Sequence, residues 1–153
     1  MVKEAIASLV VFSAMQTLLF AHEAPLTPFK PKLQTAGDIS VEKIREQNLN
    51  VVKKAVEGIG ETLPQKVDRY TTLTGIDSNG TQLIYIFEVD GGIRSDEALR
   101  EDGKKRMAPV VKEGICKSSK RFLQSDIDIR YRYLSKATKH EILRVDVSKE
   151  DCQ

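Results

Sequence analysis

Residues 126–133 alternate strictly between charged and apolar side chains, and this pattern constrains the fold more than any other feature of the chain. Successive side chains of a β strand point to opposite faces, so the apolar members face a core and the charged ones face water. The apolar members are Ile127, Ile129, Tyr131 and Tyr133, and the charged ones are Asp126, Asp128, Arg130 and Arg132. The pattern therefore predicts a strand in a sheet with a core on one side.

Two earlier segments also have the composition of strands. Residues 67–76 are rich in threonine, and residues 81–90 alternate apolar side chains over most of their length. The Asn-Gly pair between them tolerates the positive φ angles of a tight hairpin, so we predict a turn over residues 77–80. Ile84 and Ile86 point away from the other apolar residues of the second segment. This second face of the sheet therefore needs a cover, which a partner or the proline-rich residues before the domain could supply.

Two other segments have the periodicity of amphipathic helices. The first begins after an N-cap at Asp38 or Ser40 and ends near Gly60. Its predicted apolar stripe comprises Val41, Ile44, Val52, Ala55, Val56 and Ile59. The second begins after Ser95, and Pro109 inside it predicts a kink or a split.

A last strand, with Leu143, Val145 and Val147 facing inward, follows a loop around residues 137–139. The element order is therefore α-β-β-α-β-β, which places the chain in the α+β class. We predict a four-stranded, mainly antiparallel sheet with the helices packed on one face, forming a single domain over residues 38–153.

The N-terminal residues have the features of an export signal. Residues 5–20 form a mostly apolar run, shorter than the roughly 20 residues that span a bilayer as a helix. Cleavage after Ala21 is predicted, which leaves no transmembrane anchor. Residues 1–21 are thus interpreted as a signal peptide and residues 22–37, with three prolines, as a flexible lead-in. A buried N-terminal helix is the alternative. The expected location is periplasmic or secreted.

Cys116 and Cys152 are the two cysteines of the chain. In an oxidising compartment an even pair is most simply one disulfide, here linking the end of the second helix to the end of the chain. The spacing is not the Cys-x-x-Cys pattern of redox-active pairs.

Several spacings resemble a known group of proteins. They are Leu63-Pro64-x-x-Val67-Asp68-x-x-Thr71, the region of Cys116, Tyr131-x-Tyr133 and Cys152. With them, roughly the last 90 residues resemble small exported bacterial two-cysteine proteins of uncharacterised function. The resemblance implies a bacterial periplasmic or secreted protein and brings no catalytic residues.

The charge distribution is uneven in one segment. The whole chain has a net charge of +2, which lacks the excess typical of nucleic-acid binders, and no nucleic-acid partner is predicted. Residues 104–121 nevertheless carry a run of bases that includes Lys104, Lys105 and Arg106. Bases late in a helix also complement its dipole, so the run has a purely structural explanation as well.

Residues suited to catalysis or metal binding are few. His22 and His140 are the only histidines, and no cofactor or metal site is predicted. The favoured hypothesis is a non-enzymatic exported module that binds another envelope or extracellular protein through Ile84 and Ile86 or through Lys104, Lys105 and Arg106. The alternative is a small envelope hydrolase or metal-handling protein that uses Asp126, Asp128, His140 or His22.

Overall fold

The structure of the chain, a computed structural model, describes residues 40–152. The predicted signal peptide, 1–21, and lead-in, 22–37, lie outside this range. In chain order the elements are α1 (Val41–Gly60), β1 (Gln65–Lys66), β2 (Thr71–Asn79), β3 (Gln82–Val89), α2 (Asp96–Asp102), a π-helical turn (Gly103–Met107), α3 (Ala108–Ser118), α4 (Lys120–Gln124), β4 (Asp128–Ser135), β5 (Glu141–Val147) and a 3-10 turn (Lys149–Cys152). The α+β class is confirmed.

Helix α1 begins where the sequence predicts. The Ser40 hydroxyl accepts a hydrogen bond from the Lys43 N–H, so Ser40 is the N-cap of the two candidates. Val52 is buried in the core. Val41 and Ile44, predicted on the core stripe, are instead 83% and 43% exposed. The helix contacts the core through its second half. Its apolar periodicity therefore begins several residues before its side chains become buried.

The sheet differs from the prediction in strand number and in one strand direction. It has five strands in the order β1-β2-β3-β4-β5, because the two-residue β1 pairs with Leu73 and Thr72 of β2. Strands β3 and β4 pair in parallel, while the other neighbours are antiparallel. The helical connection between β3 and β4 returns the chain to the end where β3 began, and parallel neighbours need such a crossover.

The β2–β3 hairpin is tighter than predicted. The ladder extends to Asn79 opposite Gln82, so Gly80 and Thr81 alone connect the strands. Gly80 has φ of 59°, a conformation that costs glycine little. The turn thus lies at the end of the predicted 77–80 segment rather than across it.

The crossover helix is interrupted near Pro109, as predicted. The Ser95 hydroxyl caps α2 by accepting from the Ala98 N–H. The π turn follows, closed by a hydrogen bond from the Ala108 N–H to the Gly103 carbonyl. Pro109 then lies in the first turn of α3, directly after the π turn.

One core joins all four helices to one face of the sheet. Val52, Leu99, Ile115 and Leu123 come from α1 to α4 and join the inward side chains of the strands in a single cluster. Its other buried members are Leu73, Leu83, Phe87, Val89, Ile127, Ile129, Tyr133, Ile142, Leu143, Val145 and Val147. The helices therefore cover the face that the alternating patterns predict, and the opposite sheet face carries Ile84 and Ile86.

Aromatic rings from β3 and β4 line the middle of this core face. Phe87 stacks on Tyr133 with ring centroids 4.8 Å apart, and Tyr131 lies 4.9 Å from Phe87. Burial, which penalises the phenolate, raises the pKa of Tyr131 to about 12. The parallel register sets Phe87 directly opposite Tyr133, so this packing depends on the unpredicted strand direction.

The predicted disulfide is confirmed. Cys116 of α3 is bonded to Cys152, with Cα atoms 5.4 Å apart. Asp151 fixes the same segment, since its carboxylate lies 2.8 Å from the Lys112 ammonium and 2.9 Å from the Ser148 N–H. The end of the described chain is thus held to α3 by a covalent bond and an ion pair.

Breaking the disulfide should destabilise the domain. The bond closes a loop with a sequence separation of 36 residues, for which the chain-entropy model gives about 3–4 kcal/mol. We expect Cys116→Ser to lower the free energy of unfolding by about this amount, measured by urea denaturation without reductant. The double variant Cys116→Ser/Cys152→Ser is the control, because reductant should weaken the wild type and leave this variant unchanged. Equal midpoints for oxidised and reduced wild type would contradict the prediction.

The Asp151 contacts should make stability depend on acid pH. Hydrogen bonds from Lys112, the largest cause, and from Ser148 lower the pKa of Asp151 from 3.8 to about 2. A lowered carboxyl pKa stabilises the fold above the unfolded value, and this stabilisation disappears as pH falls from about 4 to about 2. Asp151→Asn should therefore be less stable than wild type at pH 7 and nearly equal to it near pH 2. A stability difference that stays constant over this range, in denaturation curves, would contradict this.

Candidate partner-binding groove

The structure places the two predicted contact groups on opposite sides of the sheet. Ile84 and Ile86 lie on the sheet face opposite the helices, which we call the outer face. Lys104, Lys105 and Arg106 lie on the π turn in the helical layer. The two groups therefore cannot form one continuous surface.

The outer face is flanked by arginines that are already paired. Arg130 lies opposite Ile84 and Arg132 opposite Ile86 in the parallel register. Arg130 Nε lies 2.5 Å from an Asp146 carboxylate oxygen, and Arg132 Nε lies 2.7 Å from Glu141. Ile84 is only 9% exposed. Binding through Ile84 and Ile86 stays a prediction, although the apolar area that Ile84 offers is small.

A groove of about 990 Å³ opens beside the C-terminal end of β3. Its apolar floor is formed by Val89, Leu99, Met107 and Ile142. One wall is the loop of residues 68–71 before β2, and the other is α2 with the preceding glycine turn. We call it the crossover groove. A shallower depression of about 320 Å³ shares Met107 with this groove and continues along α3.

Local hydrogen bonds shape the first wall. The Asp68 carboxylate accepts hydrogen bonds from the backbone N–H groups of Tyr70 and Thr71, at 2.7 and 2.8 Å. The bond from Tyr70, the largest cause, holds the pKa of Asp68 below its ordinary value. This turn leaves the Tyr70 ring 57% exposed beside the groove. The loop therefore presents an aromatic side chain to solvent.

Two glycines allow the second wall to approach the floor. A Cβ at Gly91 would lie 2.6 Å from Leu99 Cδ1, so a larger residue there would require that leucine to shift. Gly92 has φ of 60°, which glycine adopts without strain. The next residue, Ile93, is fully exposed. The tight turn thus buries Leu99 and projects an isoleucine beside it.

Two of the three acidic side chains that line the groove form ion pairs. Asp90 lies 3.0 Å from the Lys136 ammonium, and Asp102 pairs with both Arg94 and Arg106. These partners, Lys136 for Asp90 and Arg106 first for Asp102, hold the pKa of each carboxyl below its ordinary value. Each acid is thus ionised at neutral pH and neutralised from within the protein.

Three cations at or next to the groove have no such neutralisation. Within residues 40–152, Arg69, Lys104 and Lys105 form no ion pair. Arg69 lies over the Tyr70 ring at 5.5 Å, and the two lysines are exposed on the π turn. Asp68, which lines the groove, likewise forms no ion pair within these residues, so the charges of Asp68 and Arg69 offset each other.

The residues of the alternative enzymatic hypothesis that the structure describes are not brought together, and His22 lies outside residues 40–152. His140 is exposed, and its Nδ1 lies 3.4 Å from Asp96. Asp126 and Asp128 lie at the other end of β4. Seven strand residues separate Asp128 from the end of β4 near His140, a distance of roughly 23 Å. Burial, and then neighbouring carboxylates, raise the pKa of Asp128. Residues 40–152 contain no group of ligands that could hold a metal ion.

Sequence reasoning missed several residues of the groove. Tyr70 falls within residues 67–76, which the sequence predicts as a strand. Ile142 was overlooked because it is out of phase with Leu143, yet both are buried beside a register shift in β4. A run of two apolar residues in an alternating strand was the one available signal.

Comparison with known proteins identifies solved structures with a similar fold. No family model and no curated protein matches the chain. A Pseudomonas aeruginosa protein described as secreted has a similar structure, with a TM-score of 0.62, 13% identity, and coverage of 72% of this chain and 96% of that one. The pilotin EpsS of the Vibrio vulnificus type 2 secretion system has a TM-score of 0.57, 12% identity, and coverage of 73% and 97%.

A further structural relative is AspS, the type II secretion system pilotin of Vibrio cholerae. Its TM-score is 0.52 at 10% identity, and the alignment covers 72% of this chain and 97% of AspS. At these identities the similarity shows a shared fold. Within residues 40–152 no helix has the length and hydropathy needed to span a membrane.

The floor and the rim of the groove should respond differently to truncation. Leu99 is 7% exposed, so Leu99→Ala should lower the free energy of unfolding by about 2–4 kcal/mol. Ile93 contributes no buried area, so Ile93→Ala should change it by less than about 0.5 kcal/mol. Urea denaturation of both variants measures the difference. A marked loss of stability in Ile93→Ala would mean that this side chain serves the fold.

Proposed function

We propose that the chain is an exported, non-enzymatic protein-interaction module that acts as pilotins do, as an accessory to another protein of the bacterial envelope. The observation that carries the proposal is the crossover groove, with its apolar floor and the exposed Tyr70 at its edge. Exposed aromatic and aliphatic side chains beside a concave apolar surface are typical of protein-binding sites.

The structural relatives support the same role. Two of them are pilotins of type II secretion systems, and the similarity extends over nearly their whole length. A third is described as secreted. A common fold does not fix a function, so the groove and not the fold carries the argument.

The disulfide supports export. Disulfides persist in oxidising compartments such as the periplasm, and Cys116 and Cys152 are bonded. The apolar run at residues 5–20 supplies the expected export signal.

The alternative, a hydrolase or metal-handling protein, has no comparable support. Its candidate residues His140 and Asp128 lie at opposite ends of β4, and no observation favours it over the interaction module.

Export can be tested by intact mass. The full-length chain is produced in a Gram-negative host, beside a control that starts at His22 after an initiating methionine. The full-length chain should be recovered from the periplasm or medium without residues 1–21 and two hydrogens below its reduced mass. The control should remain in the cytoplasm with two free thiols. A full-length product retained in the cytoplasm in thiol form would overturn the export proposal.

A further inference from the structure

We propose that the free edge of β5 binds an extended segment of another protein as an added strand, with a carboxylate of that segment opposite Arg144. This inference goes beyond the proposed function, because Arg144, Val145 and Asp146 at this edge do not line the crossover groove. The module thereby gains a second binding surface, with its own requirements for the segment that binds there.

Strand β5 has backbone groups that face away from the sheet. Among residues 40–152 its ladder partner is β4 alone, so β5 forms one edge of the sheet. The Ser135 N–H donates a hydrogen bond across the β4–β5 hairpin, and because backbone groups alternate in direction along a strand, Tyr131 also directs its N–H to β5. Its partner there is Val145. The residues on either side, Arg144 and Asp146, therefore point their N–H and C=O groups to the free edge.

A side chain already takes the place of a strand partner at the start of this edge. Arg100 of α2 donates from Nε to the Glu141 carbonyl at 3.3 Å. In the described part of the chain no side chain does the same at Arg144 or Asp146. The N–H and C=O groups of both residues are thus available to a strand laid beside them, as in β-augmentation.

The side chains at the edge favour an acid on the added strand. Arg144 and Arg132 lie directly opposite each other in adjacent strands and share Glu141 as a partner. Like charges in this position repel each other. Arg144 is 47% exposed, and a guanidinium group has enough donors for more than one carboxylate. An acid opposite Arg144 on its free side would therefore offset this repulsion.

The other side of the added strand would adjoin the core. The residues before and after the acid would lie beside Leu143 and Val145, which belong to the core cluster. Apolar or β-branched side chains suit these two positions. The segment is therefore an extended one in which an acid stands between apolar residues.

Two other occupants fit this edge less well. Helix α3 packs on β5 itself. A second copy paired antiparallel through β5 would place its own α3 over a strand about 4.8 Å away, whereas packed helices need about 8–10 Å between their axes. Residues 22–37 of this chain contain Pro25, Pro28 and Pro31, which cannot donate hydrogen bonds to a ladder. A segment of another protein has neither obstacle.

Site-specific photo-cross-linking in the bacterium that encodes the chain tests this assignment. A benzophenone side chain replaces Asp146 at the β5 edge, Asp77 on β2, or Tyr70 at the groove, each in the full-length protein. Asp77 is the matched control, because it is likewise an exposed acid on a strand. The cross-linked peptides are identified by mass spectrometry.

Two substitutions of Arg144 separate the backbone contribution from the charge. Arg144→Gln removes the charge, and Arg144→Pro removes the charge and the outward N–H. This N–H does not pair with β4, so Arg144→Pro should still fold, which urea denaturation checks. The yield from position 146 should fall about threefold in Arg144→Gln and about fivefold further in Arg144→Pro. Arg45→Gln, which removes an exposed arginine from α1, should leave the yield unchanged.

The expected product joins position 146 to another protein, at an extended segment in which an Asp or Glu stands between apolar residues. A product joined to a second copy, to residues 22–37 or to a segment without an acid would overturn the inference, as would a yield that does not fall from wild type to Arg144→Gln to Arg144→Pro. If Arg144→Pro does not fold, the yield of Arg144→Gln and the cross-linked sequence decide. Products from position 70 or 77 alone would overturn the edge and retain the proposed function. No protein product from any position would overturn both.

Discussion

The parallel pairing of β3 with β4 is the constraint on which the other features depend. Parallel neighbours cannot be joined by a hairpin, so the chain must leave the end of β3 and return across the sheet. The return path carries α2, the π turn, α3 and α4, and all four helical segments reach the same core face. The crossover also sets Phe87 opposite Tyr133 and brings Cys116 near Cys152. The groove lies where this path begins, beside Val89 and the glycine turn.

The π turn links the needs of the fold to the surface of the groove. Pro109 cannot donate a backbone hydrogen bond, and the helix accommodates it by widening over residues 103–107 before α3 begins. The widened turn buries Gly103 against Leu143 and directs Met107 to the groove floor. Lys104 and Lys105 remain exposed on the same turn. A single interruption thus supplies Met107 to the groove floor, consistent with the frequent occurrence of π turns at functional sites.

Sequence patterns predicted the elements better than their arrangement. The alternation at residues 126–133, the Ser95 cap, the break at Pro109 and the disulfide follow from local chemistry, and the structure contains each of them. The predicted strand direction was wrong because an amphipathic strand has the same alternating pattern beside a parallel or an antiparallel neighbour. The groove was not predicted for a related reason. Tyr70, Leu99 and Ile142 come from three distant segments that only the crossover brings together. Pairing over long sequence distances leaves no local signal.

The distribution of ion pairs gives the clearest physical distinction between the two sheet faces. On the outer face Arg130 is paired with Asp146 of β5, and Glu141 of β5 is shared by Arg132 and Arg144. Beside the groove Asp90 and Asp102 are paired with cations, while Asp68 is held by backbone N–H groups. Pairing across β4 and β5 suits a solvated surface, because each charge is satisfied by its own sheet. The apolar floor of the groove beside the exposed Tyr70 ring suits recognition instead, because a bound segment would remove both from water.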